Sequence, residues 1–98
     1  MNKDEAGISL SARRIVKICN QRGLHARAAA RFVKTAGQFN ADIRVRKNGT
    51  EVSGRSIMGL MMLAAAAGTV IELSATGPEA EAAVAALARL IESKFDED

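Results

Sequence analysis

The sequence has few of the residues that several protein classes require. Its 98 residues include one cysteine, one proline, one histidine and no tryptophan or tyrosine. A lone Cys19 can form no intrachain disulfide, and the absence of a cysteine–histidine cluster leaves a zinc ribbon without ligands. The longest apolar run, residues 60–67, is eight residues long, against the ~18 that a membrane-spanning helix needs. With no charged leader before an apolar stretch, we expect a cytoplasmic protein without membrane insertion.

The residues that are present fit one small globular domain. Hydrophobic residues make up 48% of the chain and charged residues 26%, and a chain this short buries about 60–65% of its unfolded surface, enough for one core. Residues 1–12 mix small and polar residues without a sustained period, which predicts a flexible N-terminal tail. The domain is therefore predicted to cover residues 13–98, without a repeat or linker.

Charge is distributed unevenly along the chain. Residues 13–55 hold eleven basic and two acidic residues, whereas residues 56–98 hold two basic and seven acidic ones, within a net charge of +3. This polarity indicates a surface region that meets anionic partners, which include acidic proteins, phosphate groups and nucleic acid. A solvated mixture of surface charges is an equally good explanation of the same numbers.

The first half of the chain predicts a strand, a helix and a hairpin. Val16 and Ile18 alternate with Lys17, although Ile15 and Cys19 make the opposite face partly apolar too. Apolar residues then recur at helical spacing over residues 25–36. Gly37 follows the helical pattern where a left-handed C-terminal cap is expected. Alternation returns over residues 42–46, and the pair Asn48-Gly49 predicts a tight turn into a second antiparallel strand.

The second half predicts two more helices on either side of a strand. Ser56 stands at an N-cap position before a short helix that Gly59 weakens. A central strand over residues 69–75 follows, and Pro78 is expected at the first position of the last helix. The order strand, helix, strand, strand, helix, strand, helix predicts an α+β fold with helices on one face of an antiparallel sheet.

His25 is the residue best suited to chemistry. It follows a glycine-containing break and begins a predicted helix, where unpaired backbone N–H groups and the helix dipole attract anions and disfavour protonation of the imidazole. A neutral imidazole is a nucleophile, and Arg27 would supply a charged donor to a phosphoryl group bound there. A histidine without a function can also stand at the N-terminus of a helix. The residues around His25 therefore decide between a nucleophile and a histidine without function.

The residues around His25 resemble the active-site signature of HPr, the histidine phosphocarrier of the bacterial phosphotransferase system. The string is Gly23-Leu24-His25-Ala26-Arg27-Ala28-Ala29, and the resemblance continues in Phe32-Val33, Ser56-Ile57-Met58-Gly59-Leu60 and Gly68-Thr69-Val70. It covers residues 13–95. Ala28 departs from it, because many HPr sequences have proline there, mainly as a stiffener of the first helical turn.

The resemblance implies a fold and a function. The fold is an open-faced β-sandwich, with a four-stranded antiparallel sheet of order 1-4-2-3 covered on one face by three helices. The function is that of a carrier rather than an enzyme. Phosphate passes from phosphoenolpyruvate through Enzyme I to Nδ1 of His25, and then to a type IIA acceptor in sugar uptake or a nitrogen-related regulatory branch. Neither a metal nor an organic cofactor is implied.

The same resemblance implies roles for further residues. Arg27 would neutralise and position the phosphate. The expected partner-binding surface has an apolar patch ringed by arginines, and its members are Arg22, Leu24, Ala26, Arg31, Arg55, Ile57, Met58 and Met61. Ser56 resembles the regulatory serine of HPr proteins in species that possess the corresponding serine kinase, although its predicted N-cap role also explains it. Arg55 is expected to offset part of a phosphate charge there.

Three other functions fit part of the sequence. Residues 49–56 approach a P-loop pattern, but Arg55 replaces the lysine, and 98 residues cannot hold a nucleotide-binding parallel sheet. A small RNA-binding module would use the basic residues, yet three phenylalanines without tyrosine or tryptophan offer few stacking platforms. A hydrolase resembling acylphosphatase would share the size and charge. Neither of the last two explains the Gly-Leu-His-Ala-Arg string.

Overall fold

A computed structural model describes residues 10–97 of the chain. The strands are β1 (Ser11–Lys17), β2 (Asp42–Lys47), β3 (Thr50–Ser53) and β4 (Val70–Thr76), and the helices are α1 (Ala26–Ala36), α2 (Ile57–Met62) and α3 (Ala80–Glu92). The strands form one antiparallel sheet in the order β1-β4-β2-β3. The predicted order and the open-faced sandwich are therefore confirmed. A short 3₁₀ turn, Lys94–Asp96, follows α3.

The core lies between the sheet and its three helices. Because side chains alternate across a strand, Ile43 and Val45 of β2 and Leu73 of β4 point to the same face, and all three are fully buried. The helices cover this face with buried side chains from each of them, including Phe32, Leu60, Leu87 and Ile91. The central position predicted for the last strand is confirmed, because β4 pairs with β1 on one side and β2 on the other.

The first strand begins before the predicted domain boundary. Ser11 lies opposite Thr76 and Ala12 opposite Ala75 in the β1–β4 ladder, so these two residues are strand and not part of the predicted tail. Pairing with β4 outweighs the weak local pattern of this segment. Leu10 precedes the strand, and its carbonyl accepts a hydrogen bond from the N–H of Gly77 at 2.9 Å. Residues 1–9 of the predicted tail lie outside the described residues.

Two helix boundaries differ from the sequence prediction. Gly37 caps α1 with a φ of −67°, in the right-handed region, so the predicted left-handed cap is wrong. Pro78 was expected at the first position of α3, but the helix begins at Ala80 after the N-cap Glu79. The Glu79 carboxylate instead accepts a hydrogen bond from the backbone N–H of Asn40 at 2.6 Å. This contact with the loop before β2 holds the residue outside the helix.

The turns around α2 agree with the predicted pattern. Asn48 and Gly49 have φ values of 49° and 82°, as the two-residue hairpin between β2 and β3 requires. Ser56 is the N-cap of α2, and its Oγ accepts a hydrogen bond from the backbone N–H of Gly59 at 2.9 Å. At the C-terminal end of α2, Nζ of Lys47 donates to the carbonyl of Leu63 at 2.8 Å.

Within residues 10–97, no helix has the length and apolarity to cross a membrane.

Candidate functional site

A tight turn between β1 and α1 determines where His25 lies. Asn20 is buried, and its Nδ2 donates to the carbonyl of Gly23 at 2.7 Å, while the N–H of Leu24 donates to the carbonyl of Ala65 at 2.9 Å. Gly23 has a φ of +68°, and a Cβ there would lie 2.5 Å from the Ala65 oxygen. Both the backbone angle and this close approach require glycine. The turn therefore fixes His25 against the loop that follows α2.

His25 is the N-cap residue of α1, so the helix begins at Ala26, one position after the predicted start. Its carbonyl accepts from the N–H of Ala29 at 2.8 Å, but its side chain caps no backbone N–H. The first turn of α1 contains no acidic residue. A helix start with these features attracts an anion through its N–H groups and dipole. Ala28, which stands where the family signature has proline, is fully buried.

A cleft of about 520 Å³ opens beside His25. Its lining comes from the β1–α1 loop, from α1 and from the end of the chain, and consists of Asn20, Gln21, Arg22, His25, Arg27, Arg31, Lys94, Asp96 and Glu97. Four cations and two carboxylates therefore surround the imidazole. Arg27 and His25 both line this cleft at the start of α1, a geometry suited to a phosphate.

The end of the chain forms one wall of this cleft. Lys94, Phe95 and Asp96 have φ values of 60°, 57° and 58°, so the backbone turns in the left-handed sense after α3. Phe95 is fully buried, and Arg31 donates a hydrogen bond to its carbonyl. These two contacts anchor the turn and bring Glu97 to the site.

Glu97 contacts the imidazole directly. One carboxylate oxygen is bonded to Nε2 of His25, and the other accepts from Nδ2 of Asn20 at 3.2 Å. The hydrogen bond from His25 is the main cause that lowers the pKa of the Glu97 carboxyl, helped by Asn20 and the charge of Arg22 and opposed by partial desolvation. Sequence reasoning missed both Glu97 and Asn20, because an acidic chain end and a loop asparagine carry no local signal for such a contact.

The predicted docking residues divide into two groups. Ile57, Met58 and Met61 of α2 are exposed, with 39%, 71% and 41% of their surface accessible, and Ala26 and Arg22 are exposed as well. Met62 adds a fourth large apolar side chain at 76%, although its sequence pattern did not distinguish it from a core residue. We call the exposed side chains of Ile57, Met58, Met61 and Met62 the α2 patch.

The other group has structural contacts. Leu24 is 6% exposed and packs in the core, so its predicted place in an exposed patch is wrong. Arg31 is half-buried and bonded to the Phe95 carbonyl. The guanidinium of Arg55 donates to the carbonyls of Phe39 and Ala41, each at 3.1 Å. Two of the three predicted rim arginines thus also fasten the backbone.

The basic excess of residues 13–55 also splits between two places. On the sheet, Arg13 pairs with Glu72, Arg46 with Glu51 and Arg44 with Asp42. These exposed ion pairs contribute little to stability and match the interpretation of a solvated charge mixture. Arg22, Arg27 and Arg31, by contrast, all line the cleft of His25. The structure therefore separates these basic residues into a group with acidic neighbours on the sheet and a group beside His25.

Comparison with known proteins gives one consistent family. A model described as "PTS HPr component phosphorylation site" matches residues 12–93. The chain is 52% identical to "Phosphocarrier protein HPr" of Neisseria meningitidis over 82 residues, which are 84% of this chain and 92% of that protein. It is 42% identical to "Phosphocarrier protein NPr" of Shewanella violacea over 84 residues, covering 86% of this chain and 92% of that protein.

Solved structures agree with these relatives. The fold matches the crystal structure of an HPr from Thermoanaerobacter tengcongensis with a TM-score of 0.85 and 47% identity, covering 89% of this chain and 98% of the other. A phosphocarrier protein HPr from Bacillus anthracis matches with a TM-score of 0.80 and 41% identity, covering 83% and 96%. Both comparisons cover more than four fifths of this chain.

Proposed function

Because the chain belongs to the HPr family of phosphocarriers of the bacterial phosphotransferase system, we propose that His25 accepts a phosphoryl group from phosphorylated Enzyme I and transfers it to a type IIA protein. The protein is a carrier and not an enzyme, which removes the acylphosphatase alternative. Phosphoenolpyruvate is the original donor, and a cytoplasmic location belongs to the same proposal. One observation carries it: the only histidine of the chain begins α1 inside a cleft lined by arginines.

The geometry supports His25 as the phosphorylated residue. Its position at the N-terminus of α1 gives a bound phosphate access to the N–H groups of the first turn. Arg27 is exposed at that turn and lines the cleft, so its guanidinium can donate charge-assisted hydrogen bonds to phosphate oxygens. These donors act on the transferred group both in the carrier and as its charge develops during transfer.

The α2 patch and the exposed Arg22 form the proposed docking surface for both protein partners. The loop after α2 is bonded to Leu24 beside His25, through the Ala65 carbonyl, so the patch and the histidine belong to adjoining parts of the surface. Methionine side chains adapt to partners of different shape. Exposed basic groups near them favour acidic partners and speed their association.

Ser56 is the proposed regulatory phosphorylation site, in organisms that have the HPr serine kinase. It is half-buried at the start of α2 and directly precedes the exposed Ile57 and Met58. A phosphate there would add negative charge beside the docking surface and raise the free energy needed to desolvate it. Regulation would thus act on partner binding and leave the chemistry at His25 unchanged.

The direct test is phosphorylation of the intact protein. Incubation with phosphoenolpyruvate and Enzyme I should add one phosphoryl group, measured by intact mass, and the adduct should be acid-labile and alkali-stable as expected of a phosphohistidine. His25→Ala and the bulkier, hydrogen-bonding His25→Gln should both fold and remain unlabelled. Retained labelling in either variant would contradict the assignment.

The acceptor is identified in a second step. Phosphorylated carrier should lose its label to a type IIA protein of the sugar-uptake branch or of the nitrogen-related branch, and the faster of the two names the branch. RNA binding predicts a different result, namely an affinity that falls steeply with salt and does not depend on His25. Salt-sensitive RNA binding at physiological ionic strength, without transfer to either acceptor, would overturn the carrier proposal.

A further inference from the structure

Glu97 lies at the centre of a chain of three side chains, of which only His25 belongs to the family signature. Its two carboxylate oxygens contact Nε2 of His25 and Nδ2 of Asn20. Asn20 is 1% exposed and is itself held by the Gly23 carbonyl at 2.7 Å. The buried amide thus fixes one oxygen of Glu97, and the second oxygen faces the imidazole.

An ionised carboxylate only accepts hydrogen bonds, so Nε2 of His25 must be the donor in this contact. When the imidazole is neutral, it carries one ring proton, and that proton is then on Nε2. Nδ1 consequently carries the lone pair. The same contact fixes the orientation of the ring, because it ties one edge of the imidazole to the end of the chain.

We propose that Glu97 is a positioning residue for phosphoryl transfer, holding the Nε2–H form of His25 so that Nδ1 is the nucleophile. This inference rests on the proposed function of His25. In the transfer, the Nδ1 lone pair forms a bond to phosphorus, and the bond from phosphorus to the donor's atom breaks with its electron pair leaving on the donor. No proton has to leave Nδ1, and the Nε2 proton stays in place.

Positive charge develops on the ring in this step, opposite the carboxylate of Glu97. The negative charge of Glu97, in direct contact with the ring, stabilises the developing imidazolium. An acidic partner does the same for other nucleophilic or basic histidines. Arg22, Arg27 and Lys94 line the same cleft and offset the repulsion between Glu97 and the phosphate. The turn at Lys94–Asp96, anchored by buried Phe95, keeps the carboxylate in reach.

The first arm of the test uses the unphosphorylated protein. At alkaline pH, the Nε2-bound proton should give a visible downfield NMR signal, because a hydrogen bond slows its exchange with water. Glu97→Ala should lose this signal, whereas Glu97→Gln should retain it through the side-chain oxygen. Glu92→Gln is the matched control, since it removes a carboxylate from exposed Glu92 at the end of α3. A signal that persists in Glu97→Ala would overturn the proposal.

The second arm measures the rate of phosphorylation by Enzyme I. Glu97→Ala should be slower by about tenfold, because it loses both the hydrogen bond and the charge, and Glu97→Gln should be intermediate. Glu92→Gln should match the parent. An unchanged or faster rate in Glu97→Ala would show that the carboxylate does not assist transfer. If the parent itself is not labelled, the proposed function fails, while the NMR arm still tests the hydrogen bond.

Discussion

Two helix starts in this protein have opposite arrangements. At α1, the N-cap side chain of His25 turns away from the helix to Glu97, and it caps no backbone N–H of the first turn. At α2, the N-cap side chain of Ser56 bonds the N–H of Gly59 at 2.9 Å. The start of α1 is therefore open to an external anion, whereas the start of α2 is closed by its own hydroxyl.

In these two helices, the residue type at the N-cap decides whether the N–H groups of the first turn are free for a ligand. Serine stabilises α2 by satisfying an orphan donor. Histidine contributes less to capping, but it puts a nucleophile beside donors that remain available to a ligand. Gly59 leaves room for this cap at α2, because a Cβ there would lie 3.0 Å from Ser56 Oγ and 3.2 Å from the Cβ of Val52.

The largest effect is expected from disrupting the turn that positions the open helix start. Gly23→Ala forces a Cβ to within 2.5 Å of the Ala65 carbonyl oxygen at a positive φ, and should lower the free energy of unfolding by about 2–4 kcal/mol. The control is Gly49→Ala, whose φ is also positive but whose Cβ would meet nothing within 4 Å. It should cost only about 1 kcal/mol. Equal losses in chemical denaturation would contradict the role of the close approach.

Arg27→Ala should slow phosphoryl transfer at the start of α1 without unfolding the protein. An exposed first-turn arginine contributes little to stability, yet its loss removes charged donors to the phosphate and should slow transfer on the order of tenfold to a hundredfold. Arg89→Ala, which removes an exposed cation of α3 outside the cleft, serves as the control. Stopped-flow phosphorylation and thermal melts separate the two effects. A parental transfer rate with a collapsed melting temperature would make Arg27 structural.

Ser56→Asp should weaken Enzyme I binding by about tenfold, because it adds negative charge beside the docking surface. It should leave the N-terminus of α2 capped, because aspartate is also an N-cap residue. Ser56→Ala tests the cap alone: it should lower unfolding stability by about 1 kcal/mol and leave binding unchanged. Affinities of the three proteins are compared at low and high ionic strength. The deficit of Ser56→Asp should shrink with salt, since screening reduces charge repulsion. Equal affinities throughout would leave Ser56 only its cap role.

The smallest expected effect is a pH dependence of the contact between Glu97 and His25 at the start of α1. The pKa of Glu97 is lowered in the folded protein, chiefly by its hydrogen bond with His25. A lowered folded-state pKa means that the contact contributes to stability above the ordinary value near 4.5 and is lost as pH falls through the lowered pKa. Titration of the Glu97 carboxyl carbon by NMR should show this pKa, and His25→Ala should raise it. An identical pKa in that variant would contradict the cause.

Local patterns predicted most of the fold and half of the site. The alternation of Ile43 and Val45 with charged residues, the Asn48-Gly49 turn and the Ser56 cap depend on neighbours a few residues apart, and the structure agrees with them. The error at Pro78 arose because Glu79 bonds the N–H of Asn40, 39 residues away in the chain. Leu24 was misassigned for a similar reason, since its burial depends on the distant loop after α2.

By itself, the sequence determined the elements, the α+β class and the presence of His25 and Arg27 at a helix start. These follow from periodicity, turn chemistry and motif spacing, which act over short stretches of chain. Tertiary structure alone decided that Glu97 meets His25, 72 residues earlier, and that Asn20 holds it there. The physical reason is that this contact requires a left-handed turn at residues 94–96, the burial of Phe95 and the packing of α3 on the sheet, all of which exist only in the folded molecule.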